Sequence, residues 1–366
     1  MSHQPDLLYT EEEEALRSAV RDLLADHSDA AAVQARAETD EPHDRALWKN
    51  LAETMGLAGL LVPEDRGGQG ASHREAAVVL EELGRAVTPV PYLTSAVVAT
   101  EALLGCEGDE AASLLAALAS GRTLGALAVP LSDRAPREEW SVRAQDGVLT
   151  GTVTGVADAV AADVFLVPTA EGLFAVDDGA PGVTVAPQVS LDRTRPLAAL
   201  TLDGVAGRPL APAAAPVVRR ALRAGAGLLV SEQLGLCDWL LTETVRYTRE
   251  RNQFNRPVGS FQALKHRLAR LWLEVVNLKA AARNASDALA AGSDDADVAV
   301  AVAQAFAAPV AVHAAEEALQ LHGGIGMTWE HPIHLYLKRA KADSIALGTA
   351  GRHREDLAEL VDLRAP

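Results

Sequence analysis

The stretch Val245-Arg-Tyr-Thr-Arg-Glu-Arg-Asn-Gln-Phe-Asn-Arg-Pro-Val-Gly-Ser-Phe-Gln262 decides how the rest of the chain is read. It begins as the charged end of a helix, breaks at Asn255-Arg-Pro257 and restarts at Ser260, because proline fixes φ and offers no N–H to continue a helix. Beyond the break Leu264, Leu268, Leu271, Val275 and Leu278 recur at spacings of three and four. That spacing predicts an apolar stripe on a long helix over 260–291, with the Ser260 hydroxyl as N-cap. The break places a guanidinium (Arg251), an aromatic ring (Phe254) and an amide (Gln262) near a helix junction, a set that suits a flat, anionic ligand. As physics alone, a solvated helix end followed by a turn accounts for the stretch better.

Working outward, residues 217–248, 297–321, 338–350 and 354–363 also read as helices, and Gly323-Gly324 is a glycine stop at the end of the second of these. Ala211-Pro-Ala-Ala-Ala-Pro216 reads as a linker. Before it, short apolar runs at 124–129, 140–144, 148–153, 163–168, 172–176, 183–185 and 198–202 lie between Gly, Asp and Pro turns, the pattern of a β-barrel or sandwich. The first part of the chain is helical in pattern again. Thr10 and four glutamates start one helix, Trp48, Leu51 and Met55 share a side of another, and further helices are expected near 74–84, 93–104 and 109–120. Gly67-Gly68-Gln69-Gly70 reads as a tight turn and not a phosphate loop, since no strand precedes it. The predicted fold class is α+β multidomain: an N-terminal helical domain (1–122), a middle β-barrel domain (123–210) and a C-terminal four-helix bundle (211–366).

The chain has 366 residues, 49% of them hydrophobic and only 4% aromatic, and a formal net charge of -17. Such a charge argues against nucleic acid or an anionic membrane surface as partner, so an anionic coenzyme would need a local basic site. No apolar run is read as long enough to span a bilayer, and the polar N-terminus carries no visible signal peptide, which points to the cytoplasm. Cys106 and Cys237 lack metal-ligand spacing and are expected to be buried free thiols.

Three motifs carry a resemblance. Arg251-x-x-Phe254 with Pro257-Val-Gly-Ser-Phe-Gln262 and the Lys265-His-x-Leu-Ala269 run is the first. Glu317-Ala-Leu-Gln-Leu-His-Gly-Gly-Ile-Gly-Met327 is the second, and the segment from Trp48 to Gly70 the third. In order and spacing they resemble the acyl-CoA dehydrogenase family over nearly the whole chain. The resemblance implies FAD as cofactor, an acyl-CoA substrate, an electron-transfer flavoprotein as electron acceptor and a C-terminal domain that carries the tetramer contact. It also implies that Arg251, Phe254, Gln262, Gln320, Gly323 and Gly324 reach across a dimer interface to the ADP part of a neighbour's flavin. Asn255 stands where the family has glycine.

Other positions depart from the family. α,β-Desaturation needs a carboxylate over the α-carbon while hydride leaves the β-carbon. The two positions at which family members carry that glutamate are Leu347 and Gly225 here, and the nearest carboxylate, Glu232, is about two helical turns beyond Gly225. The family's Gly-Ser-Asp element is replaced by Val129-Pro-Leu-Ser-Asp-Arg-Ala-Pro136. In Gly151-Thr-Val-Thr-Gly-Val-Ala157 the lysine, aromatic and hydroxyl positions are Val153, Gly155 and Ala157. The residues that serve a neighbour's flavin are present, and those for the chain's own ring and base are missing. This resembles the degenerate, base-lacking subunit of heteromeric α2β2 enzymes acting on bulky sterol-type CoA esters, with its own site left empty to widen the acyl pocket. A self-sufficient homotetrameric dehydrogenase with an unrecognised base, a relative with oxidase or monooxygenase chemistry, and a non-enzymatic scaffold of the same fold remain as alternatives.

Overall fold

The computed structural model describes residues 5–363; residues 1–4, the start of the polar N-terminus, lie outside them. Helix α1 (Glu11–His27) starts in a capping box, with Thr10 Oγ1 accepting from the Glu13 N–H at 3.1 Å and the Glu13 carboxylate accepting from the Thr10 N–H at 2.7 Å. It is followed by α2 (Ala30–Ala37) and by α3 (Arg45–Lys49), which runs on into a wide turn at Asn50–Thr54. Then come α4 (His73–Ala86), α5 (Thr100–Leu104, preceded by a π-helical stretch at Tyr92–Ala99) and α6 (Asp109–Ala119). Gly67 and Gly70 are in the left-handed region, and a Cβ on Gly68 would lie 2.1 Å from the Val62 carbonyl, so the glycine cluster is the tight turn expected of it.

The middle region contains β1 (Gly125–Leu127), β2 (Val142–Gln145), β3 (Val148–Ala157), β4 (Val164–Thr169), β5 (Gly172–Asp177), β6 (Val183–Gln188), β7 (Leu197–Ala206) and β8 (Arg208–Ala211). They form two four-stranded sheets, ordered β1-β4-β5-β8 and β2-β3-β7-β6. Alternate residues of both sheets, among them Leu149, Val153, Phe165, Val167, Leu200 and Leu202, share one core. The barrel-or-sandwich pattern therefore takes the two-sheet form.

Helix α7 (Ala214–Glu250) follows β8 directly. The linker read at 211–216 is corrected: Ala211 ends β8, and Ala214, Ala215 and Pro216 are the first turn of α7, where proline's missing N–H costs nothing. α7 crosses α4 with backbone against backbone. A Cβ on Gly84 would lie 2.1 Å from the Glu232 carbonyl oxygen, and one on Gly235 would lie 1.9 Å from that of Glu81. The chain then makes a short hairpin from β9 (Asn252–Gln253) and β10 (Arg256–Pro257), and enters α8 (Gln262–Ala290). Ser260 is not the N-cap. It lies in a short 3-10 turn, its buried hydroxyl has no partner, and Phe261 takes the capping position without a side-chain bond.

α9 (Ala296–His322), α10 (Ile333–Asp343) and α11 (Ala350–Leu360) complete the bundle. The helices read at 338–350 and 354–363 begin earlier than expected, at Ile333 and Ala350. Residues 344–349 form a loop, because the Leu347 N–H leaves the helix ladder to donate to the Leu131 carbonyl at 2.7 Å. The reading of apolar runs is also corrected: Ala296–Met327, in which an 18-residue window has a mean hydropathy of 1.8, is long and apolar enough to cross a membrane by length and composition. Its alanines, including Ala303, Ala307, Ala311, Ala314 and Ala318, are buried against the neighbouring helices, so its apolar character is accounted for by close helix packing. Cys106 and Cys237 are both free and buried.

Candidate functional site

At one end of the bundle the termini of α7 and α9 meet. α9 stops at His322 because Gly323 turns into the left-handed region (φ +60), and α7 stops at Glu250 where Arg251 becomes extended. The Val258 N–H donates to the Arg251 carbonyl at 2.8 Å and closes the hairpin. Between these ends lies a groove of about 560 Å³ lined by Tyr247, Arg251, Gln320, His322, Gly323 and Gly324 among others. A Cβ built on Gly323 or Gly324 meets nothing within 4 Å, so this backbone is open to a ligand. Among the described residues no carboxylate pairs with Arg251, while its neighbour Arg246 is clamped by Glu243 and Glu250. An unpaired guanidinium beside exposed glycine backbone fits a pyrophosphate.

The structure thus brings together four of the six residues expected to contact a cofactor: Arg251, Gln320, Gly323 and Gly324. Phe254 and Gln262 lie outside the groove lining. Phe254 is 86% exposed at the hairpin tip, edge-on to Phe261 with ring centroids 6.1 Å apart, and Gln262 is exposed at the start of α8. Phe254 and Asn255 both have positive φ, 53° and 59°, as a two-residue hairpin turn demands. Asparagine tolerates this region better than other residues with a side chain, which explains how it stands where the family has glycine.

The second half of the site is closed. Leu347 is buried, held at positive φ (54°), and anchored by its own N–H on Leu131 and by His353, whose Nε2 lies 2.9 Å from its carbonyl. A Cβ on Gly225 would lie 3.2 Å from Leu347 Cδ1 and 2.8 Å from Val98 Cγ2. The two positions at which the resemblance implies a glutamate therefore face each other, one as leucine and the other as the glycine that makes room for it. The remaining cleft, lined by Thr94, Val98, Leu131, Ala157, Leu222 and Leu347 among others, is only about 30 Å³, the space of a single water. That volume is smaller than an isoalloxazine ring. Gly155 offers no ring to stack, and its N–H donates to Gln188 Oε1 at 2.7 Å. The expectation of an empty site is corrected: packing fills it.

Glu232 is no substitute base. It is buried, and its oxygens accept from Arg195 Nη2 and Arg339 Nη1, both at 2.5 Å. Arg339 also donates to Asp192 at 2.5 Å and Arg195 to Asp343 at 2.9 Å, so two guanidiniums and three carboxyls are buried together where the sheets meet α7 and α10. Burial, reinforced by the nearby Glu232 charge, pushes the Asp343 carboxyl up to about 8, which favours its uncharged form inside the cluster. Sequence reasoning missed this cluster, and the i,i+4 spacing of Arg339 and Asp343 in Lys338-Arg-Ala-Lys-Ala-Asp343 is its one visible trace. It also passed over His322, although that residue stands inside a motif already singled out.

The chain is similar to known proteins over most of its length. Residues 10–122 match the Acyl-CoA dehydrogenase, N-terminal domain family, and residues 215–361 the Acyl-CoA dehydrogenase, C-terminal domain family. Acyl-CoA dehydrogenase IpdE2 of Mycobacterium tuberculosis is 36% identical over 330 residues, which covers 90% of this chain and 91% of that protein. A chain of the ChsE4-ChsE5 complex from Mycobacterium tuberculosis superposes with a TM-score of 0.89 at 28% identity, over 99% of this chain and 100% of that one. A chain from a variant of the Tcur3481-Tcur3483 steroid ACAD does so with a TM-score of 0.85 at 31% identity, over 96% of this chain and 98% of that one. Sequence motifs, three-part architecture and relatives agree, and the chain belongs to the acyl-CoA dehydrogenase family.

Proposed function

We propose that this chain is the non-catalytic subunit of a heteromeric, FAD-dependent acyl-CoA dehydrogenase that desaturates a bulky acyl-CoA thioester, of steroid side-chain type, at its α,β bond. The observation that carries the reading is the contrast between the two half-sites: an open groove with an unpaired Arg251 at one end, and Leu347 packed on Gly225 at the other. FAD held by a homologous, base-containing subunit supplies the hydride acceptor. Arg251, Gln320 and the Gly323-Gly324 backbone of this chain bind the pyrophosphate of that cofactor, and Phe254, displayed at the hairpin tip, and Gln262 contact it across the interface. Leu347 contributes no proton transfer; it keeps water and a second flavin out of this chain's own cleft.

A partner of the same fold is supported by the similarity to chains of two named heteromeric assemblies. It is supported further by the outer face of α8, where Trp272 is 58% and Leu273 53% exposed beside a groove of about 850 Å³ between α7 and α8. An α2β2 assembly, an electron-transfer flavoprotein as acceptor, a cytoplasmic location and domain limits at 122/123 and 210/211 belong to the same proposal.

The visible absorption spectrum tests it. The chain purified alone is expected to be colourless, and the chain co-expressed with its base-containing homologue yellow, with one FAD per pair and acyl-CoA-dependent bleaching. One FAD per chain in the isolated protein would overturn the proposal.

A further inference from the structure

Behind the Gly323-Gly324 turn, three side chains from three separate segments converge. Glu243 lies near the end of α7, His322 is the last residue of α9, and His331 sits in the loop before α10. One ligating atom from each lies within 4.8 Å of the others, and His331 Nε2 is 3.5 Å from Glu243 Oε1. His322 is 2% exposed and His331 9%, with Glu243 half-buried at the edge. His322 Nδ1 lies 2.7 Å from the Ala318 carbonyl, so that nitrogen carries the hydrogen. The ring's Nε2 is left as a bare lone pair, buried and without a partner. A ring nitrogen bonded to a backbone carbonyl, with the opposite nitrogen free, is how proteins orient a metal-ligating histidine. Tyr247 stacks on the same ring at 4.3 Å between centroids and fixes its plane.

We propose that Glu243, His322 and His331 form a binding site for a divalent transition-metal ion of the Zn²⁺ class, which clasps the Gly323-Gly324 turn to α7. Two imidazoles and a carboxylate are an ordinary zinc donor set, and bonds of about 2.0–2.1 Å place tetrahedral ligands ~3.4 Å apart. The His331–Glu243 separation already meets that spacing, and the three ligating atoms, all within 4.8 Å of one another, close on an ion by small side-chain adjustments. Water takes the remaining position, reached from the open groove that His322 also lines. Burial holds both imidazoles below the usual histidine range. His331 moves its hydrogen to Nδ1, giving up only a 3.4 Å contact from the Ile333 N–H. Arg246, which now donates to both oxygens of Glu243, keeps Oε2 at 2.8 Å and its bond to Glu250 at 2.6 Å while the ion takes Oε1.

The inference does not depend on the flavin proposal, since it concerns this chain's own ligands. The protein, in whatever assembly it purifies, is stripped with a chelator and titrated with Zn²⁺ and with Co²⁺. The expected result is one equivalent per chain at micromolar affinity or tighter, the d–d absorption of low-coordinate Co²⁺, and a higher Tm with Zn²⁺. His322→Gln and His331→Gln each abolish the absorption and the Tm rise, while His313→Gln, at a half-exposed residue paired with Glu274, leaves both intact. If a histidine variant does not fold, Glu243→Gln, which keeps size and shape, is expected to weaken binding at least tenfold. No saturable binding at micromolar metal, or binding that survives His322→Gln, overturns the inference.

Discussion

Restoring the missing base should fail, and the packing around Leu347 sets by how much. Leu347→Glu places a carboxyl where an isobutyl group is 2% exposed and packed on Val98 and Gly225. The Arg134 side chain passes beside Gly348, but its guanidinium is already paired with Asp356. A carboxyl buried in apolar surroundings has its pKa raised, by about 3 units in a site of this depth. At about 1.4 kcal/mol per unit, the charged form then costs roughly 4 kcal/mol of folding free energy, comparable to losing a buried leucine outright. The sign follows from the raised folded-state pKa. The variant's stability relative to the unsubstituted protein is greatest below the unfolded value of about 4.3 and falls as pH rises through the folded value near 7. Urea unfolding at about pH 5 and about pH 8 should show a deficit that grows by several kcal/mol between the two. Acyl-CoA-dependent dye reduction by the isolated variant should stay at background, because Gly155 and Ala157 still provide no ring site. A stable variant with no pH-dependent deficit, or one that turns over acyl-CoA alone, would refute the argument that this cleft is closed by packing.

Asp343 and Arg251 give two further tests. Asp343→Asn should remove a pH dependence: the wild-type carboxyl, raised to about 8 when folded, adds stability below about pH 4 that is lost as pH rises toward 8 at ~1.4 kcal/mol per unit. The difference in unfolding free energy between the two proteins, measured by urea titration across that window, should therefore shrink or change sign, and a constant difference would rule out the shift. Arg251→Ala should leave the far-UV CD unchanged and the stability of the chain within about 0.5 kcal/mol, as befits an exposed residue, yet weaken FAD retention in the reconstituted pair by at least tenfold, the loss of a charge-assisted phosphate contact. Unchanged FAD affinity by fluorescence titration would remove Arg251 from the site.

What the sequence revealed and what it hid divide along physical lines. Periodicity located α8, α9 and most strands because their apolar stripes are dictated by burial, and the glycine stop at Gly323 because only backbone conformation is involved. The helix expected over 338–350 stops at Asp343 instead: the Lys, Arg and Ala residues before the loop favour a helix, but the contact that ends it, Leu347 N–H on the Leu131 carbonyl, is a tertiary bond more than two hundred residues away in sequence. Ser260 looked like an N-cap by residue type, but the turn closed by the Phe261 N–H on the Val258 carbonyl carries it out of position. The identities of Leu347, Gly225, Gly155 and Ala157 were visible from the start. That leucine and glycine fit each other, leaving the cleft filled instead of empty, is a matter of side-chain geometry that no spacing rule contains.

The charge distribution argues for the same division of labour. A chain with net charge -17 repels an anionic coenzyme at long range, yet residues 246–270 hold seven Lys or Arg and a single Glu. Arg246 and Arg267 are consumed by ion pairs with Glu243, Glu250 and Glu317. Arg256 lies over the Phe261 ring at 3.9 Å, bracing the hairpin that displays Phe254. Arg251 is thus left to face the groove, on a hairpin whose tip sets an aromatic residue in a left-handed conformation that costs about 1 kcal/mol or more. Both half-sites hold a residue in the left-handed region, Phe254 at the hairpin tip and Leu347 in the closed cleft, but only the groove end leaves a guanidinium without a carboxylate among the described residues. A protein whose own cleft were its working site would show the opposite arrangement. On the function proposed above, an open groove with an unpaired guanidinium is surface offered to a second subunit, and the packed Leu347 cleft is where that subunit would have to supply the carboxylate and the ring.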